Sequence, residues 1–569
     1  MTKITRRGLL GAAATGTLSV AACATPAASV APKPAPYAGT VDFLHGVASG
    51  DPLSDRVIIW TRVTPKSGNG PIPVSYVVTD PDNPASPPLI GTTTASESRD
   101  YCVKVDVSGL EPGKAYRYKF SVETEAGEVT SPEGRLKTTA VSGDAPVRMG
   151  VVSCSNWQFG FFNAYEALAK EGDLDVILHL GDYLYEYGLD GYGGDVATRI
   201  GRLHDPVTEI VTLTDYRMRH AQYKTDPALQ AAHALAPWIC TWDDHESANN
   251  SYRTGAQNHN PEEGEGDWSD RKQAAIQAYF EWLPLREPVA GDITSAVWRS
   301  FSFGDIATVH ALESRLTGRS PDVSWFDALA GADTEEVMMQ RVTETLQTIN
   351  DPARTMLGAE QEAWLGAELR SSVEKGKAWQ VLANQVVMAR TKLPNLMETL
   401  TPEQIAAQEN KLVETMVGFS ALGLPFNLDA WSGFPAARER LYAEVAASGA
   451  RLVTLAGDTH TAWANTLYDD QGSKRGVEFA CTSITSPGTG AYIQGIPDLG
   501  EQFAAANPEV NWHDPFNRGY TIVTLTKETA RAEYRTISNV LDRDYTVNTA
   551  AVFETHQAAG ELADLTRIA

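Results

Sequence analysis

Leu178-His179-Leu180-Gly181-Asp182-Tyr183-Leu184-Tyr185-Glu186 is the stretch from which the rest of this chain can be read. Ahead of it lies Asp175-Val176-Ile177-Leu178, an apolar, β-branched run of the kind that forms a buried strand. Gly181 lets the backbone turn sharply, which places Asp182 at a strand end. Open α/β sheets bind ligands at the carboxyl ends of their strands, so an acidic residue there is a metal-ligand candidate. Three further stretches share this grammar: Val151-Val152-Ser153-Cys154, Trp238-Ile239-Cys240-Thr241-Trp242-Asp243-Asp244-His245-Glu246, and Leu452-Val453-Thr454-Leu455-Ala456-Gly457-Asp458-Thr459-His460. The four strand ends are expected to converge on one metal cluster.

Working outward, the chain has 569 residues, more than one hydrophobic core usually serves. Its composition, 43% hydrophobic and 21% charged, is that of a globular protein. The formal charge of −25 argues against nucleic acid as a partner, because binding a polyanion needs clustered Lys and Arg. Five cysteines are too few for a disulfide framework at this length.

Residues 1–28 read as a twin-arginine signal peptide, with Thr5-Arg6-Arg7-Gly8-Leu9-Leu10 ahead of an apolar run too short to span a bilayer. That implies the twin-arginine translocase as a partner during export and a periplasmic, secreted or cell-envelope location. Val20-Ala21-Ala22-Cys23 resembles a lipoprotein processing site, so membrane attachment through lipidated Cys23 competes with ordinary cleavage after Ala24. Export of the folded protein allows a metal site to be loaded in the reducing cytoplasm, with Cys154 a thiolate. A Pro/Ala linker follows over 29–40. From 41 to 140, short alternating runs such as Arg56–Thr61, Val74–Val78 and Ala115–Phe120 are cut by Gly and Pro, as in an all-β immunoglobulin- or fibronectin-like domain. From 145 to 569, strands ending in polar residues alternate with helical stretches (Gly160–Lys170, Arg271–Trp282, Glu360–Ser371, Ala436–Ala447), which predicts an α/β catalytic domain. Gly519–Leu525 and Ala530–Thr536 are expected to pair as a hairpin.

Two metals about 3.5–4 Å apart clamp the attacking and leaving oxygens of an in-line phosphoryl displacement and acidify a water. Asp182 is the candidate bridge, and its loop also supplies Tyr185. A phenolate and the Cys154 thiolate among carboxylates suit a trivalent ion such as Fe³⁺. Asp244, Asn249 and Asn250 offer hard oxygens suited to Ca²⁺. Asp458 and His460 are expected to project to one side of their loop and complete both shells. The expected chemistry is hydrolysis of phosphate esters by a metal-bound hydroxide.

At this point the sequence resembles the alkaline phosphatase D (PhoD-like) metallophosphoesterases. Phe43-Leu44-His45-Gly46-Val47-Ala48-Ser49-Gly50-Asp51-Pro52 and Ile59-Trp60-Thr61-Arg62 resemble the opening of that family's N-terminal β domain. Cys154-Ser155, Gly181-Asp182-Tyr183-Leu184-Tyr185-Glu186, Trp242-Asp243-Asp244-His245-Glu246, Glu265-Gly266-Asp267-Trp268, Asn384-Gln385 and Gly457-Asp458-Thr459-His460 follow in order. The resemblance implies a calcineurin-like metallophosphoesterase sandwich, central sheets flanked by helices. It also implies a ferric ion held by Cys154, Asp182, Tyr185 and Asp458, with Ca²⁺ nearby. Asp244, Asn249 or Asn250, and His460 are then calcium-side or supporting residues. Against the wider fold, Cys154-Ser155-Asn156 stands for Asp-x-His, Tyr185 for the second Asp of Gly-Asp-x-x-Asp, and Asp458 for a His. These departures argue against a plain di-zinc or di-manganese site.

His245 is the candidate general acid or phosphate-orienting group, with a structural histidine as the plainer reading. Arg315 either contacts the phosphate with its fork of donors or serves a surface or salt-bridge role. The expected activity is that of an exported alkaline phosphatase acting on small phosphate monoesters or diesters and releasing phosphate for scavenging. A phospholipase D-type or nucleotide phosphodiesterase on the same fold is the rival, and a metal-dependent cell-envelope binding protein the rival from another class.

Overall fold

The computed structural model describes residues 35–288, 297–406, 417–493, 495–558 and 561–569. The twin-arginine segment and Cys23 lie outside them. Six strands carry the centre of the molecule: β1 (Val147–Val152), β2 (Val176–His179), β3 (Trp238–Cys240), β4 (Ala307–Ala311), β5 (Trp379–Ala383) and β6 (Leu452–Ala456). β1, β2 and β3 run parallel and adjacent in an eleven-stranded sheet. β4, β5 and β6 do the same in a seven-stranded sheet.

Side chains alternate across a strand, so register decides which face each residue covers. Val151 sits opposite Leu178 and Leu178 opposite Ile239; in the second sheet Val309, Val381 and Val453 form the matching row. Both rows belong to one buried apolar cluster, so the sheets face each other across a shared core. The alternate residues point the other way. Val152, Ile177 and Trp238 pack under Leu168, Tyr216, Leu229 and Tyr279 of the helices Asn163–Ala169, Leu213–Lys224, Pro227–Leu235 and Trp268–Trp282. Leu382 and Leu452 pack under Leu369, Leu441 and Phe503 of Ala359–Glu374, Pro435–Ser448 and Leu499–Ala506. The result is a helix–sheet–sheet–helix sandwich, as the α/β reading expected. Helix starts are written locally: Thr212 and Asp215 form a reciprocal capping box, and Asp226 caps a helix whose first residue is Pro227.

Arg518–Leu525 and Thr529–Ile537 pair antiparallel, and the first of them pairs with β1. Near the N-terminus, five strands between Ile72 and Lys137 form a sheet whose Val74, Phe120 and Leu136 pack on Val57 and Ile59. The strand Arg56–Arg62, which carries Val57 and Ile59, hydrogen-bonds through Val47–Gly50 onto β3, with Gly50 opposite Trp238. Part of the β region up to residue 140, the strands Val47–Gly50, Arg56–Arg62 and Cys102–Ser108, therefore shares a sheet with the strands that follow it. Among the described residues no helix is long and apolar enough to cross a membrane.

Candidate metal centre

The carboxyl ends of all six strands open onto one place. Eight non-glycine residues of the described chain hold a positive φ, and five of them are sequence-selected ligands: Cys154 (59°), Asp182 (55°), Asn250 (51°), Asp458 (63°) and His460 (60°). Left-handed backbone disfavours side chains with a Cβ, so it persists only where surrounding structure imposes it, and such strain clusters at functional sites. The turns also pack too closely for larger residues. A Cβ on Gly181 would meet Asp243 Cβ at 2.4 Å, and one on Gly457 would meet Ser153 Cβ at 2.6 Å.

Ligand atoms gather into three linked triads, each within 4.8 Å: Cys154, Asp182 and His460; Asp182, Asp244 and His245; Asp243, Asp244 and Asp458. Asp182 and Asp244 are each shared by two triads, which suits Asp182 as a bridge. Tyr185 joins the first triad. Its hydroxyl lies 3.1 Å from Asp182 Oδ2 and 3.1 Å from His460 Nε2, and it accepts a bond of 2.9 Å from Ser486 Oγ. His460 Nδ1 faces the carbonyl of Pro487 at 3.1 Å, which can only accept; the ring proton therefore sits on Nδ1 and Nε2 is left with its lone pair. In this geometry His460 lies with Cys154 and Asp182, while Asp458 lies with Asp243 and Asp244.

A shell of buried carboxylates holds the loops together. Glu246 accepts backbone N–H bonds from Asp182 (3.0 Å), Tyr183 (2.6 Å) and Asp243 (2.8 Å), tying the turn after β2 to the turn after β3. Glu186 accepts from the Asn249 N–H (2.8 Å) and Asn258 Nδ2 (2.9 Å), and lies 2.7 Å from His245 Nδ1. The His245 ring stacks on Tyr185 at 4.1 Å. Glu313, after β4, accepts from Trp242 Nε1 and from the N–H groups of Arg315, Leu316 and Thr317.

Arg315 is fully buried, which excludes the surface alternative. Its guanidinium pairs with Asp243, with Asp429 at 2.7 Å, and lies 3.6 Å from Asp458. Asp429 also pairs with buried Arg319 at 2.5 Å. Asn250 donates its backbone N–H to Asp244 Oδ2 at 2.7 Å, and the side-chain amides of Asn249 and Asn250 both donate to Gln257 Oε1. Sequence reading missed Asp243, Glu186, Glu246, Asp429 and Arg319. Glu186, Asp243 and Glu246 stood inside quoted motifs, but Asp429 and Arg319 lie in stretches with no strand-end signature.

The electrostatics fit cations. Five aspartates (Asp182, Asp243, Asp244, Asp429, Asp458) face two arginines and His245. Burial, then the neighbouring aspartates, push Asp182 and Asp458 well above the carboxylate range, and Asp243 up to about 6. Burial likewise raises the Tyr185 phenol and the Cys154 thiol, with Asp182 adding to both. Burial alone would lower His245, but Asp244, Glu186 and Asp182 lift it well above its usual value. Asp182 Oδ1 and Asp243 Oδ2 are buried with no hydrogen-bond partner. So dense an anionic nest, with unpaired oxygens, matches a site whose missing charge is supplied by bound cations.

Comparison with known proteins adds to this geometry. Residues 149–534 match the family described as PhoD-like phosphatase, and residues 27–140 match its N-terminal domain. The chain is 35% identical over 535 residues to alkaline phosphatase D of Bacillus subtilis (strain 168), covering 91% of this chain and 82% of that protein. It is also similar to a solved structure described as the structure of PhoD, with a TM-score of 0.73, 32% identity and coverage of 95% and 94% of the two chains.

Proposed function

The chain belongs to the PhoD-like phosphatase family, and from that premise we propose how its own residues carry out the reaction. It is a phosphoric ester hydrolase of the alkaline phosphatase D type. The observation that carries the reading is the set of three linked ligand triads at the ends of four strands, with Cys154, Asp182, Asp458 and His460 on left-handed backbone.

Cys154, Asp182, Tyr185 and His460 would hold one ion, a thiolate–phenolate set suited to Fe³⁺. A second group of oxygens, Asp243, Asp244 and Asp458, with the Asn249 and Asn250 side chains nearby, would suit Ca²⁺. When bound, such ions polarise the phosphoryl oxygens and make a water nucleophilic near neutral pH. His245, oriented through Glu186, protonates the departing oxygen of the ester. Arg315 and Arg319 hold Asp243 and Asp429 in place and offset their charge. Monoesters and diesters are both accepted classes. Export by the twin-arginine route to the cell envelope, with attachment through Cys23 as its finer form, completes the reading.

The test is metal analysis of protein purified without chelators, paired with turnover of a monoester and a bis-ester. Iron and calcium that co-purify with activity, and are lost with it in Asp182→Asn, support the assignment. A fully active preparation lacking both ions refutes it.

A further inference from the structure

A cavity of about 360 Å³ opens beside the ligand cluster, sharing Asn250, Asn427, Asp429 and Asp458 with it. Away from these residues the wall is mainly apolar, with Val323, Trp325, Leu329, Leu393, Phe419 and Phe426, interrupted by Asp322 and a few hydroxyls such as Ser324 and Thr391. The wall is built rather than incidental. Trp325 is buried, its ring meets Phe419 at 5.0 Å, and its Nε1 donates to the Pro425 carbonyl at 2.8 Å. Together with Leu428, Val342 and Ile349 it forms a small separate apolar cluster, against which Val323, Leu329 and Phe419 pack partly buried. Among the described residues the lining holds no Lys, Arg or His, and its charged members are Asp322, Asp429 and Asp458.

We propose that this cavity is the subsite for the alcohol half of the ester, and that it selects an uncharged, apolar group. The inference rests on the phosphate-ester reading above. A phosphoryl group at the triads leaves its ester oxygen facing the shared edge at Asn250 and Asp458, so the attached group enters the cavity. There, apolar area leaves water against aromatic and aliphatic walls. A second anionic group would meet carboxylates and, among the described lining residues, no cationic side chain, since Arg315 and Arg319 behind the wall are already paired with Asp243 and Asp429, which selects against polyphosphates and acidic alcohols.

The probes are n-alkyl phosphates and the matching non-hydrolysable n-alkyl phosphonates, methyl to octyl, with holoenzyme purified without chelators. Their phosphoryl group is constant, so chain length reports only the subsite. Phosphonate affinity and kcat/KM are expected to rise about threefold per methylene until the cavity is filled. A carboxylate at the end of the same chain removes the gain. Phe419→Asp, or Phe326→Asp at an exposed neighbouring position, flattens the dependence on length, read as the octyl-to-methyl ratio. A flat series in the unaltered enzyme that still turns over methyl phosphate overturns the subsite and leaves the hydrolase reading standing. A steep phosphonate series without turnover of any ester supports the subsite and sinks the hydrolase reading. A steep series unchanged in both folded variants shows that the chain binds elsewhere and overturns the assignment.

Discussion

Replacing Glu186 by Gln separates the two things His245 can do, because it changes one atom in a fully buried position. Glu186 Oε1 accepts from the Asn249 N–H and Asn258 Nδ2, and Oε2 lies 2.7 Å from His245 Nδ1. The two donors on one side fix the amide oxygen of the new side chain there, so its NH₂ faces His245. The imidazole must then accept at Nδ1, and it loses one of the carboxylates that keep it protonated. The exchange removes a charge-assisted hydrogen bond worth about 1.5–3 kcal/mol. If His245 protonates the departing oxygen, kcat on an alkyl phosphate falls about 10- to 150-fold. On p-nitrophenyl phosphate, whose phenolate leaves without a proton, the fall is roughly threefold or less. The pH profile adds a sign: the acid form exists below the His245 pKa, so the alkaline limb on the alkyl ester moves to lower pH in E186Q. The assay is steady-state kinetics on both esters across pH. An equal loss on the two, with no movement of the limb, would mean that Glu186 and His245 support the fold or a ligand set rather than transfer a proton.

Asp182→Asn is expected to lower both bound-metal content and turnover by at least 10-fold, read by metal analysis and kinetics on one preparation. If Cys154 and Tyr185 ligate Fe³⁺, the holoenzyme is coloured by ligand-to-metal charge transfer; Cys154→Ser shifts that band, and a colourless active enzyme removes the ferric assignment. Away from the site, burial pushes Glu478 up to about 7, although it accepts from the N–H groups of Met388 and Ala389 and from Asn465 Nδ2. Its folded pKa lies above the unfolded value, so its contribution is fully present below pH ~4.5 and is lost as pH rises through 7, amounting to about 3 kcal/mol. Denaturant midpoints at pH 5 and 8 are expected to differ less in E478Q than in the unaltered protein. Leu178→Ala, in the core between the sheets, is expected to cost about 2–5 kcal/mol by thermal or denaturant unfolding.

What could be read from the residues followed from local chemistry. Val151, Leu178, Val309 and Val453 are buried on one face of their strands, and their alternates on the other, because both faces of each sheet are covered. That leaves continuous apolar runs, which stand out in sequence. Their polar ends stand out for the same reason, and Cys154, Asp182, Asp244 and Asp458 were legible that way. Asp429 and Arg319 were not. Neither terminates an apolar run, and their place beside Arg315 arises from the packing of a loop more than 100 residues distant. The sharing of one sheet by the N-terminal strands and β3 was equally hidden, since Gly50 and Trp238 meet only through backbone hydrogen bonds that carry no side-chain pattern.

The separate directions taken by Asp458 and His460 have a more specific cause. In an extended strand, residues two apart share a face, and on that rule the two side chains of Gly457-Asp458-Thr459-His460 would point together. Both residues instead sit at positive φ, 63° and 60°, so the chain coils through a turn in which the two-residue alternation no longer applies. The turn is held by the Gly457 N–H on the Gln385 carbonyl at 2.7 Å and the Thr459 N–H on the Gly457 carbonyl at 2.7 Å, which fixes the two directions separately. Asp458 is left toward Asp243, Asp244 and Arg315, and His460 toward Tyr185 and the Pro487 carbonyl. The same turn therefore reaches both halves of the nest, one ligand to each. A sequence pattern can name such candidates, but which neighbours each faces depends on backbone angles, here the positive φ of Asp458 and His460, that carry no signature in the sequence.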